Sequence, residues 1–457
     1  MSLTIAPPID DHVGRLLVHP GDDGWDPARA AWNLAVDQRP AAVAFPETPE
    51  EVVAVVDYAR TRGLRVAPQG TGHNASAIRS LERTVLVKTS RMRQVVVDPS
   101  ARTARIGAGA LWEDVATAAH EYGLAALSGS SPDVGAVGYT LGGGVSWLVR
   151  AHGLSCNHVR SIDVVTADGR LVRASHDDEP ELFWALRGGG GSFGLVTGME
   201  LELFEVAEVF AGAMFWPMEQ AAEVMNTWQR LTLGFPEAMT SVARVLQLPP
   251  IPDVPEPLRG RSFTVVEAIF LGDAEEGSRL LEPLRALRPE IDTLAMIPPV
   301  ELIRLHMDPE QPVPAIAGGQ MLRRFPSEAI DALLAVAGPG TDSPLLTLEI
   351  RHVGGAAGRP TDGSGALASL DGDYMTFGGG IPMTAELGVA IQSRLAALGH
   401  TLAPWTSDTT YLNFVERPAD SNSFYPPDTH ARLRATKRTY DPHELFLSNH
   451  PIPPASS

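Results

Sequence analysis

The chain has 457 residues, of which 44% are hydrophobic and 20% charged, values that are ordinary for a soluble globular protein. A single hydrophobic core stops growing at about 250–300 residues, so this length predicts two domains. The net charge of −19 argues against nucleic acid or an anionic membrane as a partner, because both would repel an acidic surface.

The sequence also limits the compartment and the kind of site. Cys156 is the only cysteine, so the fold cannot depend on an intrachain disulfide. The segment from Met1 to Arg15 lacks the basic and apolar regions of a secretory leader, and no run approaches the roughly 18 apolar residues of a membrane helix. No histidine or cysteine spacing indicates a metal site. We therefore expect a cytoplasmic protein without a metal.

The first half of the chain alternates helical and strand patterns. Thr48 and Pro49 begin a helix that Glu51 strengthens through a capping box and that Gly63 ends. Strand patterns lie at 64–67, 85–88, 95–97, 103–106, 162–166 and 171–174, with a second helix at 111–122. Asp168-Gly169 predicts a hairpin turn between the last two strands. This alternation predicts small mixed sheets and not one long parallel sheet.

The first of three glycine-rich segments is Gln69-Gly70-Thr71-Gly72-His73-Asn74, which follows a predicted strand. Its backbone N–H groups could form a nest that binds a pyrophosphate. The segment also matches the dinucleotide fingerprint G-x-G-x-x-A, but only about ten mostly polar residues separate it from the next strand, too few for a βαβ crossover. Taken alone, it could equally be a glycine turn with a surface histidine.

Two further glycine segments follow. The second segment, Gly129–Gly144, contains Gly135, Gly138 and the triplet Gly142–Gly144. Apolar residues are interleaved with these glycines, which favours ligand contact over a flexible surface loop. The third segment, Gly188–Gly191, has more glycine than the end of a helix needs. The triplet is not followed by the Lys-Ser or Lys-Thr of a Walker A loop, and the sequence contains no G-x-S-x-G nucleophile elbow.

From about residue 206, strand patterns (209–215, 242–248, 263–271 and 345–351) alternate with helical ones (219–231, 275–287, 328–336 and 386–398). Thr347, Glu349 and Arg351 share one face of a predicted strand, which could line a site or face solvent. We predict one domain at 1–205, a substrate domain at 206–405, and a segment at 406–457 that completes the first domain.

In this order, the glycine segments and the closing block, from Tyr411 to Asn449-His450-Pro451, resemble the FAD-linked oxidases of the vanillyl-alcohol oxidase (PCMH-type) superfamily, berberine-bridge-enzyme-like branch. The resemblance is strong from Trp25 to Glu200, weak through the middle, and clear again at the end. It implies an α+β fold. A PCMH-type FAD-binding domain of two small α/β subdomains would accompany a substrate domain whose antiparallel sheet is backed by helices.

The resemblance implies that His73 is covalently linked to FAD and that Val134 lies over the flavin ring, where valine admits oxygen. The other residues that it assigns to FAD binding are Gln69, Gly70, Thr71, Gly72, Asn74, Ser131, Gly135, Gly138, Tyr139, Gly142, Gly143, Gly144, Gly194, Val196, Tyr411, Asn413 and Asn449. Ser131 stands where many relatives carry a second, cysteinyl link, so a single link is implied. Gln69 and Phe414 stand where the family often has arginine and tyrosine.

The resemblance implies an oxidase that takes a hydride from a C–H next to N or O of a small organic substrate, a secondary metabolite such as an alkaloid-like amine or alcohol, and passes the electrons to O2 to give H2O2. Tyr411, Tyr139 and Glu349 are the candidate bases, with Tyr411 favoured. Tyr411 and Asn413 would share one strand face, and Arg351 would orient the substrate or hold Glu349 as a carboxylate. A ring-closing flavoenzyme of natural-product biosynthesis and a flavin-bearing metabolite-binding protein remain as alternatives. We expect a monomer or homodimer.

Overall fold

The computed structural model describes residues 11–252 and 254–456, and a small mixed sheet forms its first part. Strands β2 and β3 run parallel to β4, and β1 pairs antiparallel with β2. The elements are α1 (Asp11–Leu16), β1 (Leu17–Val18), α2 (Trp25–Arg29), β2 (Ala42–Ala44), α3 (Pro49–Thr61), β3 (Arg65–Gln69) and β4 (Thr84–Lys88).

Helix α3 forms as its sequence predicts. The Thr48 hydroxyl accepts a hydrogen bond from the Glu51 N–H at 3.2 Å, and Pro49 occupies the first turn. The apolar stripe of the helix is fully buried and consists of Val52, Val55, Val56 and Ala59. Gly63 follows the helix with φ of 63°, a left-handed conformation that favours glycine at this stop.

A second, antiparallel sheet follows in the order β5-β6-β10-β8-β9. The predicted hairpin joins β8 to β9, with Gly169 at φ of 86°. The elements are β5 (Val95–Asp98), β6 (Thr103–Gly107), α4 (Trp112–His120), β7 (Leu124–Ala125), α5 (Ala136–Leu141), α6 (Val149–His152), β8 (Val159–Val165), β9 (Leu171–Ala174), α7 (Pro180–Leu186), β10 (Leu195–Glu202) and β11 (Phe204–Glu205), of which β7 pairs with β11.

The third sheet is antiparallel, in the order β15-β12-β14-β13-β18-β19-β17 with β16 beside β12. Its elements are β12 (Val209–Pro217), α8 (Ala221–Thr232), β13 (Met239–Gln247), β14 (Ser262–Phe270), α9 (Ala274–Arg285), β15 (Ile291–Asp292), β16 (Ala295–Ile297), β17 (Ile316–Leu322), α10 (Ser327–Ala337), β18 (Thr347–His352), β19 (Tyr374–Gly380) and α11 (Ala385–Leu402). Helices α8 to α11 pack on one face of it. The predicted α+β class, with an antiparallel sheet backed by helices, is confirmed.

The segment after residue 406 returns to the first two sheets. After helix α12 (Pro427–Tyr440), the Leu445 carbonyl accepts from the Val66 N–H, and the Leu447 N–H donates to the Val66 carbonyl, both at 2.8 Å. Lys437 Nζ lies 2.5 Å from Asp441 Oδ2, and both side chains are at most 1% exposed. The Asp441 carboxylate also accepts hydrogen bonds from two backbone N–H groups that follow it. This buried ion pair fixes the C-terminal segment.

We predict that Lys437→Met destabilises the folded protein by about 3–5 kcal/mol, because it leaves the Asp441 carboxylate buried without a cation. Lys437→Met combined with Asp441→Asn should recover part of this loss, since no unpaired charge then remains. Urea unfolding of the FAD-loaded protein measures both. A single variant within about 0.5 kcal/mol of the parent would show that the pair contributes nothing to the anchoring.

Candidate functional site

A cavity of about 450 Å³ lies where the glycine segments meet the face of the third sheet opposite helices α8 to α11. Its wall includes almost every residue that the sequence singles out: Gln69, Gly70, Thr71, Gly72, His73, Asn74, Ser131, Val134, Gly135, Gly138, Tyr139, Gly142, Gly194, Val196, Glu349, Arg351, Tyr411, Asn413 and Asn449. Residues that are far apart in the chain are thus brought to one place.

Gly143 and Gly144 lie behind this wall. Their φ angles are 116° and 82°, in the region where a side chain is strained. The Gly144 N–H donates to the Tyr411 hydroxyl at 3.0 Å, and a Cβ on Gly143 would lie 2.7 Å from a methyl carbon of Leu367. The structure therefore places these two glycines in the packing behind the cavity, where they support Tyr411.

Tyr411 and Asn413 both line the cavity, but the prediction that they share a strand face is wrong. Leu412–Phe414 forms a 3₁₀ turn, closed by a 3.1 Å hydrogen bond from the Phe414 N–H to the Tyr411 carbonyl. The Asn413 amide donates to the Tyr411 hydroxyl and to the Tyr139 carbonyl, each at 3.0 Å. A hydrogen-bonded turn, and not strand alternation, brings the two side chains together.

His73 is held on three sides. Trp32 stacks on the imidazole with the ring centres 4.1 Å apart, and the Thr71 hydroxyl lies 2.7 Å from Nδ1. His73 Nε2 lies 3.7 Å from Asp133 Oδ1, and both atoms are buried without a hydrogen-bond partner among the described residues. Asp133 is itself fixed by a hydrogen bond from the Trp32 indole.

Strand β18 supplies a charged wall opposite the glycine segments. Thr347, Glu349 and Arg351 line the cavity, whereas Leu348 and Ile350 are buried in the core beneath the helices. Arg351 Nε donates to Glu349 Oε1 at 2.8 Å, and its guanidinium lies 5.3 Å from the centre of the Phe414 ring. Alternation along the strand therefore presents a carboxylate and a guanidinium to the cavity.

Two of the candidate bases are ill suited to that role. Burial opposes ionisation of Glu349, but Arg351 and His306 outweigh it and hold its pKa well below the usual range. The carboxylate is therefore permanently ionised, and both oxygens are already engaged. Burial also raises the pKa of Tyr139 well above its usual value. Burial raises the pKa of Tyr411 too, and the N–H donors from Gly144 and Asn413, which favour the ionised form, offset that rise only in part.

Several polar residues around the cavity were not predicted from the sequence, among them Arg244, Glu267, His306, Asp308 and Glu416. Arg244 and Glu267 lie behind the wall, whereas the other three line it. Ser131 Oγ donates to Asp308 Oδ2 at 2.5 Å, which joins the second glycine segment to the third sheet's side of the cavity. Burial raises the pKa of Glu416 to about 7. A charged residue inside an apolar strand pattern was the available signal for Arg244 and Glu267; the other three lie in irregular segments without one.

In the described part of the chain, no group of three or more histidine, cysteine, aspartate or glutamate side chains could hold a metal ion. Within residues 11–252 and 254–456, no helix is long and apolar enough to cross a bilayer.

Residues 40–175 match the family model for an FAD binding domain. The chain is 29% identical to (R)-6-hydroxynicotine oxidase of Paenarthrobacter nicotinovorans, over 100% of both proteins. The structure of the Physcomitrella patens BBE-like 1 enzyme is similar at a TM-score of 0.85 and 20% identity, covering 99% of this chain and 100% of that one. A variant of the grass pollen allergen Phl p 4, described as a glucose oxidase, has a TM-score of 0.82 at 20% identity, covering 97% of each chain.

The lining and the unpartnered polar atoms of the cavity fit FAD. Glycines from all three segments line the cavity, so a ligand can approach the backbone closely. Buried polar atoms of Gln69, His73 and Asn74 have no partner within the described residues, and a bound cofactor would supply partners for them. His73, Gln69 and the other glycine-segment residues would hold the cofactor. The chain is therefore an FAD-linked oxidoreductase built on the PCMH-type FAD-binding fold.

Proposed function

We propose that the protein is an oxidase that carries FAD on His73 through a single covalent link and oxidises a small organic substrate at a C–H next to N or O. The observation that carries this proposal is the cavity itself, in which the glycine segments face Glu349 and Arg351. On this proposal, residues 1–205 and 406–457 bind FAD, and residues 206–405 bind the substrate. When bound, FAD would supply the hydride acceptor and O2 the final electron acceptor.

The protein's own residues would orient the substrate and manage its proton. Arg351 presents a fixed cation for an anionic or carbonyl group of the substrate, because Glu349 holds its guanidinium in place. Tyr411 is the proposed proton acceptor, since its hydroxyl oxygen receives two N–H donors that stabilise a phenolate. Glu349 serves as an ionised partner of Arg351 and not as the base.

A single link to FAD is supported by the residue at position 131. Where many relatives carry a cysteine, this chain has Ser131, whose hydroxyl donates to Asp308. The one cysteine, Cys156, is buried and contacts the Leu367 carbonyl, and burial raises its pKa to about 12. A thiol in that state is a poor nucleophile, which leaves His73 as the proposed attachment point.

We predict that acid precipitation leaves the yellow colour in the protein pellet and that His73→Ala releases it to the supernatant, because the imidazole carries the covalent link. Flavin fluorescence of the denatured protein in a gel gives the same readout. Ser131→Ala is the matched control and should keep its colour. Colour retained in the pellet of the His73→Ala protein would remove His73 from the proposal.

We predict that Val134→Leu slows the reoxidation of photoreduced enzyme by oxygen while anaerobic reduction by substrate stays nearly unchanged. Val134 lines the cavity, and the larger leucine side chain would fill space through which oxygen would approach a bound flavin. In Phl p 4, whose wild type is described as a glucose dehydrogenase, a variant with a single isoleucine-to-valine change is described as a glucose oxidase. Equal stopped-flow reoxidation rates in parent and variant would show that Val134 does not control the access of oxygen.

We predict that Tyr411→Phe lowers the rate of anaerobic flavin reduction by about 10²–10⁴ and changes substrate binding far less, because it removes the proton acceptor. Tyr425→Phe is the control: Tyr425 is equally buried, but its hydroxyl donates to the Gly188 carbonyl and it does not line the cavity. If Tyr411→Phe reduces its flavin at the parent rate, Tyr411 is not the proton acceptor, although the cavity can still be the substrate site.

A further inference from the structure

A chain of alternating charges runs through the third sheet to the cavity wall. Arg244 Nη2 lies 2.7 Å from Glu267 Oε1, and Glu267 Oε2 lies 2.6 Å from His306 Nδ1. His306 Nε2 in turn lies 2.7 Å from Glu349 Oε2, whose other oxygen binds Arg351. The side chains of the first four residues are at most 4% exposed, and that of Arg351 is 12% exposed.

His306 is the one member of this chain that does not come from a strand. It follows the 3₁₀ turn Pro299–Arg304, and its ring bridges Glu267 on β14 and Glu349 on β18, two strands that are separated by β13. The next residue, Met307, has φ of 56°, a left-handed conformation that costs a methionine free energy. This turn aims His306 into the sheet and Asp308 toward Ser131 on the opposite side of the cavity.

Two carboxylates at these distances determine the state of the imidazole. A neutral imidazole has only one N–H donor, whereas both ring nitrogens of His306 lie within 2.7 Å of a carboxylate oxygen, one from Glu267 and one from Glu349. The remaining groups that face it are the guanidinium of Arg244, the carboxylate of Asp308 and the edge of the Trp147 ring. Burial and Arg244 lower the pKa of His306, but Glu267 and Glu349 outweigh them and raise it to about 9.

We propose that His306 is a positioning residue, an imidazolium held between two carboxylates that fixes Glu349 and, through it, the Arg351 guanidinium on the cavity wall. His306 binds one oxygen of Glu349 while Arg351 binds the other, so the carboxylate cannot rotate and Arg351 keeps one orientation. The inference rests on the proposed function only in taking Arg351 to face a substrate.

The hold of His306 on Glu349 depends on pH, because it requires the imidazole to be protonated. The folded-state pKa of His306 lies above the ordinary value of about 6.5, so its contribution is fully present below that value and is lost as the pH rises through about 9. Above that pH, Glu349 loses one of its donors and Arg351 loses its fixed orientation. A chain that served only as a buried ion network would alter overall stability without a specific effect on Arg351.

Nuclear magnetic resonance of the FAD-loaded protein tests this directly. In ¹⁵N-arginine-labelled protein, the Arg351 Nε–H, assigned by its disappearance in Arg351→Lys, should exchange slowly near neutral pH. Its protection factor, which corrects for base catalysis of exchange, should fall about tenfold or more near pH 9. In ¹⁵N-histidine-labelled protein, one imidazole should remain doubly protonated at pH 8. A His306 that is neutral at pH 8 in the parent would overturn the proposal.

Glu267→Gln is the decisive variant, because Glu267 does not line the cavity and does not contact Arg351. Removing this carboxylate should move the break in Arg351 protection to lower pH by about one unit or more. His306→Gln should lower the protection at every pH and abolish the break. An unmoved break in Glu267→Gln, or full protection in His306→Gln, would refute the positioning role. The readouts require no turnover, so they stay valid if the proposed oxidase activity fails.

Discussion

The cavity wall depends on one physical constraint, that charges buried in a sheet must be paired. Glu267 and Glu349 are both fully buried, and neither carboxylate could remain ionised there without cationic partners. Arg244, His306 and Arg351 supply those partners from two strands and a loop. Because each ion is held by its neighbours, the group that meets the cavity is a fixed guanidinium. Preorganised charge of this kind costs no rearrangement when a ligand binds.

Local periodicity explains what could be predicted from the sequence. Helix α3 has its cap, first-turn proline, apolar stripe and glycine stop in neighbouring residues, and it forms where predicted. Alternation along β18 puts Glu349 and Arg351 on one face, because their side chains are two residues apart. The glycine segments were informative for a different reason, since their order resembles that of a known family. For helix α3 and strand β18, the deciding information lies within a short stretch of chain.

The remaining features depend on contacts between distant residues. Strands β17 and β19 were not predicted, because the glycines at 318–319 and 378–380 have low strand propensity and the strands form through pairing of β17 with β19 and of β19 with β18. The 3₁₀ turn after Tyr411 resembles a strand in sequence, but the Gly144 N–H and the Asn413 amide both donate to the Tyr411 hydroxyl and stabilise the turn. His306 gains its role only when the fold places it between two carboxylates from different strands. No local sequence pattern predicts a long-range contact of this kind.

We propose that the glycine segments and the charged wall enclose one site, in which a substrate reduces FAD and oxygen reoxidises it. The most direct test is to mix the purified yellow protein anaerobically with a panel of amines, alcohols and phenolic metabolites, follow the visible absorbance of the flavin, and then admit air. We expect that at least one compound bleaches the flavin and that air restores the colour with one peroxide formed for each flavin. A flavin that binds these compounds with spectral shifts but is reduced by none of them, and yields no peroxide after photoreduction, would contradict it.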